Sequence, residues 1–223
     1  MNAAPTPAPS PAPTPVPTPD DLADALRLAA DTLRGAPADA DWSRPAGTIG
    51  WSCWETVEHL ADDLLAYAAQ LGPARPPQDR YVPFVSTRET PGAPNNFVRA
   101  AREAGVEGLI EVLEASGGLM VAIARTTSPD VRAYHPWGLA DPTGFVAMSL
   151  VELLVHLHDV AQGLDLPWNP PADICHRTLT RLFPDLPTTT TAPWPTLLWA
   201  TGRTPLPGHP RRTEWRWHAD VRG

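Results

Sequence analysis

The sequence predicts an all-α protein: four main helices, a long crossover between the second and third, and a short irregular extension at the C-terminal end. Three observations predict this. Apolar residues recur at three- and four-residue spacing in four separate windows, the mark of helices with one buried face. Proline makes up 29 of the 223 residues, well above the usual ~5%, and interrupts almost every long stretch, which argues against a long parallel sheet or a coiled coil. The segment from Gly72 to Pro94 holds six prolines and no clear periodicity, and is longer than an ordinary helix–helix connection.

Eight prolines fall in residues 1–19, alternating mainly with Ala and Thr. This segment has little to bury and is expected to be a disordered tail. The first helix follows. Thr18 is its N-cap, Pro19 suits the first turn, and Asp20 and Asp21 face the positive end of the helix dipole. Leu22, Leu26, Ala29 and Leu33 mark its buried face, and Gly35 stops it. The second helix runs from about Ser52 to Leu71, with Trp54, Val57, Ala61, Leu64, Ala68 and Leu71 on one face. The third begins near Asn95 or Asn96 and ends near Thr126, with a possible break at Gly117-Gly118. Residues 127–141 read as irregular. The fourth helix runs from Pro142 to Leu164, with Gly163 near its end and Pro167 beyond. A short helix over 172–183, a Thr/Pro loop, another short helix near Leu197 and a strand or coil over 213–221 complete the chain. The expected units are therefore a tail (1–19), a helical bundle (20–165) and a small extension (166–223).

Composition narrows the function. The net charge is −8, and all 17 cations are Arg because the chain has no Lys. An acidic domain without a basic cluster is a poor nucleic-acid binder and a poor partner for anionic membranes. No signal peptide is expected, because the first residues carry no positive charge and no apolar run. No uncharged apolar stretch of ~18 residues predicts a membrane span. Cys53 and Cys175 fit no zinc-finger or C-x-x-C spacing; two reduced thiols in the cytoplasm is the simpler reading, one disulfide the other. G-x-S-x-G, P-loop and dinucleotide-binding patterns are absent. Cys53, near the start of a helix but beside tryptophans and no cation, reads as structural.

The fourth helix carries the chemistry. With Glu152 at zero and ~100° per residue, its apolar positions centre near ~130° and extend round to ~300°. A narrow polar stripe of Ser149, Glu152, His156 and Asp159 remains. A helix this apolar is largely buried, so the stripe must be paired, hydrogen-bonded or bound to metal. Glu152 and His156 lie one turn apart and can reach one ion at ~2 Å, with Asp159 placed to orient the imidazole as an outer-sphere acceptor. A buried Glu–His ion pair is the competing reading. A third ligand must come from elsewhere, and His59 on the second helix is the best candidate, although its arc beside Ser52, Thr56, Asp63 and Ala66 reads as solvent-facing. His158 lies ~200° from His156 and should not join the site. His135, His176, His209 and His218 are expected in exposed or capping roles.

Several segments resemble a known family. The run Gly50-Trp51-Ser52-Cys53-Trp54-Glu55-Thr56-Val57-Glu58-His59-Leu60-Ala61-Asp62 resembles the tryptophan-led second helix of DinB-like bundles, and more narrowly the metal-binding N-terminal domain of mycothiol-dependent maleylpyruvate isomerases. Glu152-Leu153-Leu154-Val155-His156, continuing through Asp159-Val160-Ala161, resembles that family's E-x-x-x-H helix. Leu198-Trp199-Ala200-Thr201-Gly202-Arg203 resembles a C-terminal segment common among these proteins. The resemblance implies a DinB-like four-helix bundle holding a divalent metal, usually zinc, through His59, Glu152 and His156. It also implies mycothiol as the thiol that attacks a small electrophilic substrate, in a transferase or isomerase. Arg203 is a candidate clamp for a substrate carboxylate. The characterised isomerases carry a sizeable C-terminal α/β domain, whereas 58 residues follow position 165 here. The Lys-free, Arg- and Ala-rich composition fits a GC-rich, mycothiol-producing actinobacterium. The expected protein is cytoplasmic, monomeric or homodimeric. A non-catalytic, metal-stabilised stress or partner-binding module is the alternative.

Overall fold

Thr18 opens α1 (Pro19–Arg34) by the expected route. Its hydroxyl accepts from Asp21 N–H at 3.2 Å, and Asp21 Oδ2 accepts from Thr18 N–H at 2.8 Å, a reciprocal capping box. The computed structural model describes residues 16–187 and 191–221, so positions 1–15 of the proline-rich tail lie outside the described residues. Ser52 and Glu55 form a second capping box that starts α2 (Cys53–Leu71). α3 (Gly105–Thr126), a hairpin of β1 (Ala133–His135) and β2 (Gly138–Ala140), α4 (Pro142–Leu164), α5 (Ala172–Leu182) and α6 (Pro193–Ala200) follow. The fold is mostly α, with one small antiparallel sheet pairing Ala133 with Ala140 and His135 with Gly138.

α1 packs on α3 and α4, and α2 packs on α3 and α4. α4 is the innermost element. It is long and apolar enough to cross a membrane, yet 89% of its most apolar window is buried inside the protein, so it is a core helix here. Asp141 caps it by accepting from Gly144 N–H at 2.7 Å, and Asp165 ends it in the left-handed region (φ 57°). Gly163 lies inside α4 and acts through packing, not as a stop. A Cβ there would lie 2.4 Å from Cys53 Sγ and 2.6 Å from the Pro45 carbonyl, so only glycine lets the start of α2 approach α4 this closely.

Three expectations for the middle of the chain are corrected. First, the third helix does not begin near Asn95 or Asn96. Phe97 and Val98 N–H groups both donate to Asp62 Oδ1 at 2.7 Å, and Ala100 N–H donates to Glu58 Oε1 at 3.2 Å. These buried carboxylates of α2 hold residues 97–100 in a non-helical run, and α3 starts only after a 3-10 turn over Arg102–Ala104. Second, α3 runs unbroken through Gly117-Gly118. Gly117 instead gives way to Leu26 of α1, whose Cδ2 would sit 2.5 Å from an added Cβ. Third, residues 127–141 hold the β1–β2 hairpin, which the sequence pattern did not signal.

The C-terminal residues pack back on this frame. α5 contacts α4 and α6. Arg177 of α5 donates to both oxygens of Asp21 (2.5 and 3.0 Å) and so ties α5 to the α1 cap. Residues 213–221 are ordered coil, with His218 N–H on the Leu182 carbonyl and Asp220 accepting from Leu139 N–H at 2.7 Å. The buried indole of Trp217 contacts Trp137 and His135.

Candidate metal centre

Where α2 crosses α4, His59, Glu152 and His156 converge. One potential ligand atom from each lies within 4.8 Å of the others. Glu152 Oε2 is 3.2 Å from His156 Nε2, and the His59 and His156 rings meet edge-on with centroids 5.3 Å apart. The helical arc of His59 reads as solvent-facing, yet its side chain keeps only 20% exposure. The arc was misjudged because α4 and the segment around Asn96 cover it, and Thr56 on the same arc is fully buried.

The surroundings of the three residues are built from both helices. His59 Nδ1 lies 3.4 Å from Asn96 Oδ1, and His59 Nε2 lies 3.3 Å from Asp63 Oδ2. On the α4 side, Asp159 Oδ2 lies 3.3 Å from His156 Nδ1. That contact is ionic and not a well-formed hydrogen bond, so the buried Nδ1 has no hydrogen-bond partner among the described residues. Asp159 is in turn gripped by Arg203, whose Nη2 donates at 2.8 Å. Trp51 packs over both rings, 4.8 Å from His59 and 5.9 Å from His156.

Charge follows from this arrangement. Burial pushes the His59 imidazole down to about 4, and the neighbouring His156 adds to the shift, so His59 is neutral near pH 7. Burial also works against a charged His156, but the carboxylates of Asp159 and Glu152 outweigh it and raise His156 to about 9. Burial alone would raise Glu152 and Asp159. His156 holds Glu152 below the ordinary carboxylate range, and His156 with Arg203 does the same for Asp159. Asp63 goes the other way: burial, reinforced by the Glu152 charge, lifts it well above that range.

Two imidazoles and a carboxylate are a donor set that divalent zinc and related ions accept. The residues fit such an ion on two further grounds. His59 is already neutral, as a ligand must be. The buried Nδ1 of His156 has no hydrogen-bond partner among the described residues, and its ring must give up a proton to bind an ion. A cavity of about 320 Å³, lined by Asp63, Tyr67, Tyr81, Phe84, Ser86 and Phe97 among others, opens next to this cluster through Asp63.

The remaining sequence-derived candidates sort clearly. Asp159 lies beside His156 Nδ1 at 3.3 Å, without the hydrogen bond expected of an outer-sphere acceptor. Arg203 clamps a carboxylate, but that carboxylate is Asp159 of the protein. His158 stands apart, edge-on to Trp194 at 5.6 Å. His135 is buried against expectation, among Tyr67, Trp137 and Trp217, and burial lowers it to about 4. His218 pairs with Asp185 at 2.9 Å, and His209 packs on Trp199. Cys53 and Cys175 are free and buried, and burial raises their thiols to about 11 and about 12. Asp63 shares the arc of His59, whereas Trp51 and Asn96 are neighbours of the site that helical periodicity does not mark. Asp63 stands one turn beyond His59, which is a usable signal. Nothing local marks Asn96.

Fold and site together define a mostly helical protein whose second and fourth helices bring a His/Glu/His cluster, able to hold a metal ion, next to an open cavity. The family described as the mycothiol maleylpyruvate isomerase N-terminal domain matches residues 22–161. The chain belongs to this DinB-like family. The match includes all three cluster residues and stops before Arg203. No curated protein and no solved structure matches the chain.

Proposed function

We propose that the chain is a metal-dependent enzyme that uses a small-molecule thiol, mycothiol in this family, against a small electrophilic substrate, as a transferase or isomerase. The carrying observation is the convergence of His59, Glu152 and His156 within 4.8 Å in a chain of the mycothiol maleylpyruvate isomerase family. In this reading α1 to α4 form the DinB-like bundle, the three residues hold zinc, and a divalent ion bound there lowers the pKa of a coordinated thiol so that it is a nucleophile at neutral pH. The protein's own groups have separate tasks. Glu152 supplies the one anionic ligand. Asp159 fixes the His156 ring, and Arg203 fixes Asp159. Asn96 sets the ring of His59. Trp51 covers both imidazoles and limits water on that side. The cavity beside Asp63 receives the substrate, with Tyr67, Tyr81, Phe84 and Phe97 as its aromatic wall. The unpaired, buried Cys53 and Cys175 suit a reducing compartment, the cytoplasm.

The test has two steps. Elemental analysis of protein purified without chelator should give about one zinc per chain. Zinc-loaded protein should then accelerate conjugation of mycothiol to an electrophile such as monochlorobimane, and chelated protein should not. Absence of stoichiometric metal sinks the proposal. Metal without any thiol chemistry leaves the non-catalytic module instead.

A further inference from the structure

The residues that follow the family match build a second feature. A cavity of about 300 Å³ lies between the Thr48–Ile49 turn and residues 201–215, and Arg203, Arg211 and Arg212 all line it together with Thr48, Thr201 and Thr213. Among the described residues, no carboxylate lines it. This is unexpected in a chain of net charge −8, where Arg34, Arg177, Arg181 and Arg203 each pair with an acid. Arg211 donates Nε to the Gly202 carbonyl at 2.5 Å, and Arg212 donates Nη1 to the Ala200 carbonyl at 3.4 Å. Neither forms an ion pair among the described residues. Arg212 also lies over the Trp199 ring, 5.4 Å from its centroid, but the anchors of both are neutral, so neither charge is matched by an acid among the described residues.

We propose that this cavity binds a small dianion, a dicarboxylate or a phosphate monoester. Guanidinium forks match carboxylate and phosphate oxygens two at a time, and the hydroxyls of Thr48 and Thr213 add donors, while that of Thr201 is already given to the Leu197 carbonyl at 2.8 Å. The backbone is shaped for it. Gly202 has φ 70°, and a Cβ there would lie 2.7 Å from the Arg212 carbonyl and 3.1 Å from the Trp215 ring, so glycine is what lets 199–203 and 211–215 close around one space. Arg203 differs from the other two. It faces the cavity with its charge already matched by Asp159, so it joins the anion site to the back of the His156 position, while Arg211 and Arg212 supply the net charge that selects the ligand. The site does not depend on metal or thiol chemistry.

Isothermal titration of the full chain in low-salt, phosphate-free buffer tests it, with inorganic phosphate and malonate as probes and chloride as control. One equivalent of phosphate or malonate should bind, and the R211A/R212A double variant should lose at least tenfold in affinity while its far-ultraviolet circular dichroism is unchanged. Whichever probe binds more tightly identifies the phosphate or the carboxylate as the natural group. The His156→Ala protein should bind the probe like the parent. Binding no stronger than chloride overturns the proposal. So does binding that survives R211A/R212A but disappears in His156→Ala, because the anion would then sit at the metal centre.

Discussion

The two helices that meet at the candidate metal centre prepare their histidines in opposite ways. α4 sets His156 between Glu152 and Asp159 and raises it to about 9. α2 buries His59 against Asn96 and lowers it to about 4. One side of the site is built by charge, the other by desolvation. α4 therefore offers an anionic chelate that attracts a cation but must release a proton, and α2 offers a neutral donor ready to bind. The contrast assigns unequal weights to the three candidate ligands.

Removing a ligand from each side should expose that inequality. His156→Ala breaks the one-turn chelate and leaves Glu152 and His59 on separate helices, so bound zinc should fall from about one per chain to background. His59→Ala keeps the chelate, and the protein should retain a weakened site, with affinity lowered by more than the ~10–100-fold typical of losing an outer-sphere partner. Elemental analysis after gel filtration, followed by competition with a zinc-binding dye, separates the two results. Equal losses would show that the helices contribute alike.

The same contrast explains what could be read from sequence. α4 was legible because its polar stripe interrupts an otherwise apolar helix, and a polar group there has few alternatives to pairing or ligation. The stripe alone gives Glu152, His156 and Asp159 as one buried polar group, readable as ligands or as an ion pair, and the family resemblance is what favours the ligands. His59 was not legible from its own helix, since small and polar neighbours mark a solvent face equally well. It is the best candidate for a third ligand even so, and the family resemblance is what turns that candidate into an expected ligand. The extended run over 97–100 was hidden for a related reason: what decides it is the capture of its N–H groups by Asp62 and Glu58, 35 to 42 residues away. Arg203 was read as a carboxylate clamp without any means of telling that the carboxylate is Asp159. The helix starts at Thr18 and Ser52, by contrast, depend on partners three residues on and fall where local capping chemistry puts them.

Arg203→Ala tests how far the charged side depends on its outermost member. Asp159 is buried, and without Arg203 it keeps only His156. Loss of one partner from a buried pair of this kind costs about 3 kcal/mol, which chemical denaturation of the metal-free protein would register. Zinc affinity should fall about 10–100-fold as His156 loses its fixed orientation. An unchanged zinc affinity beside the stability loss would make Arg203 a purely structural residue.

The pH dependence of loading reads the two histidines separately. His156 must lose its proton to bind a cation and His59 need not. Zinc affinity should thus rise about tenfold per pH unit between pH 6 and 8.5, when competition is corrected for the titration of the dye. A slope near two below pH 6.5 would mean that both imidazoles carry protons there. The metal-free protein should show the complementary pattern in stability. The raised His156 contributes stability that is complete below its unfolded value of ~6.5 and is lost as pH rises through about 9. The depressed His59 contributes none at low pH, and its penalty disappears as pH rises from about 4 to ~6.5. Denaturation midpoints of the metal-free chain should accordingly peak near pH 6.5, and zinc should move the optimum upward.

The smallest effect is expected at Asn96, which together with Asp63 contacts the His59 ring. Its Oδ1 lies 3.4 Å from His59 Nδ1, at the long limit of a hydrogen bond, and the residue is almost fully buried. If desolvation alone prepares His59, Asn96→Ala leaves the imidazole neutral and costs no more than about threefold in zinc affinity, below the ~10-fold lower bound for a firmly bonded outer partner. Asn96→Asp makes the sharper variant, because it adds a second carboxyl group beside His59, whose present neighbour Asp63 is lifted well above the ordinary carboxylate range. His59 should then be raised toward the behaviour of His156, and the slope of zinc affinity against pH should climb from one toward two below neutrality. A slope that stays at one in Asn96→Asp would show that burial outweighs a neighbouring charge on this side, and that the difference between the helices lies in packing and not in the choice of partner.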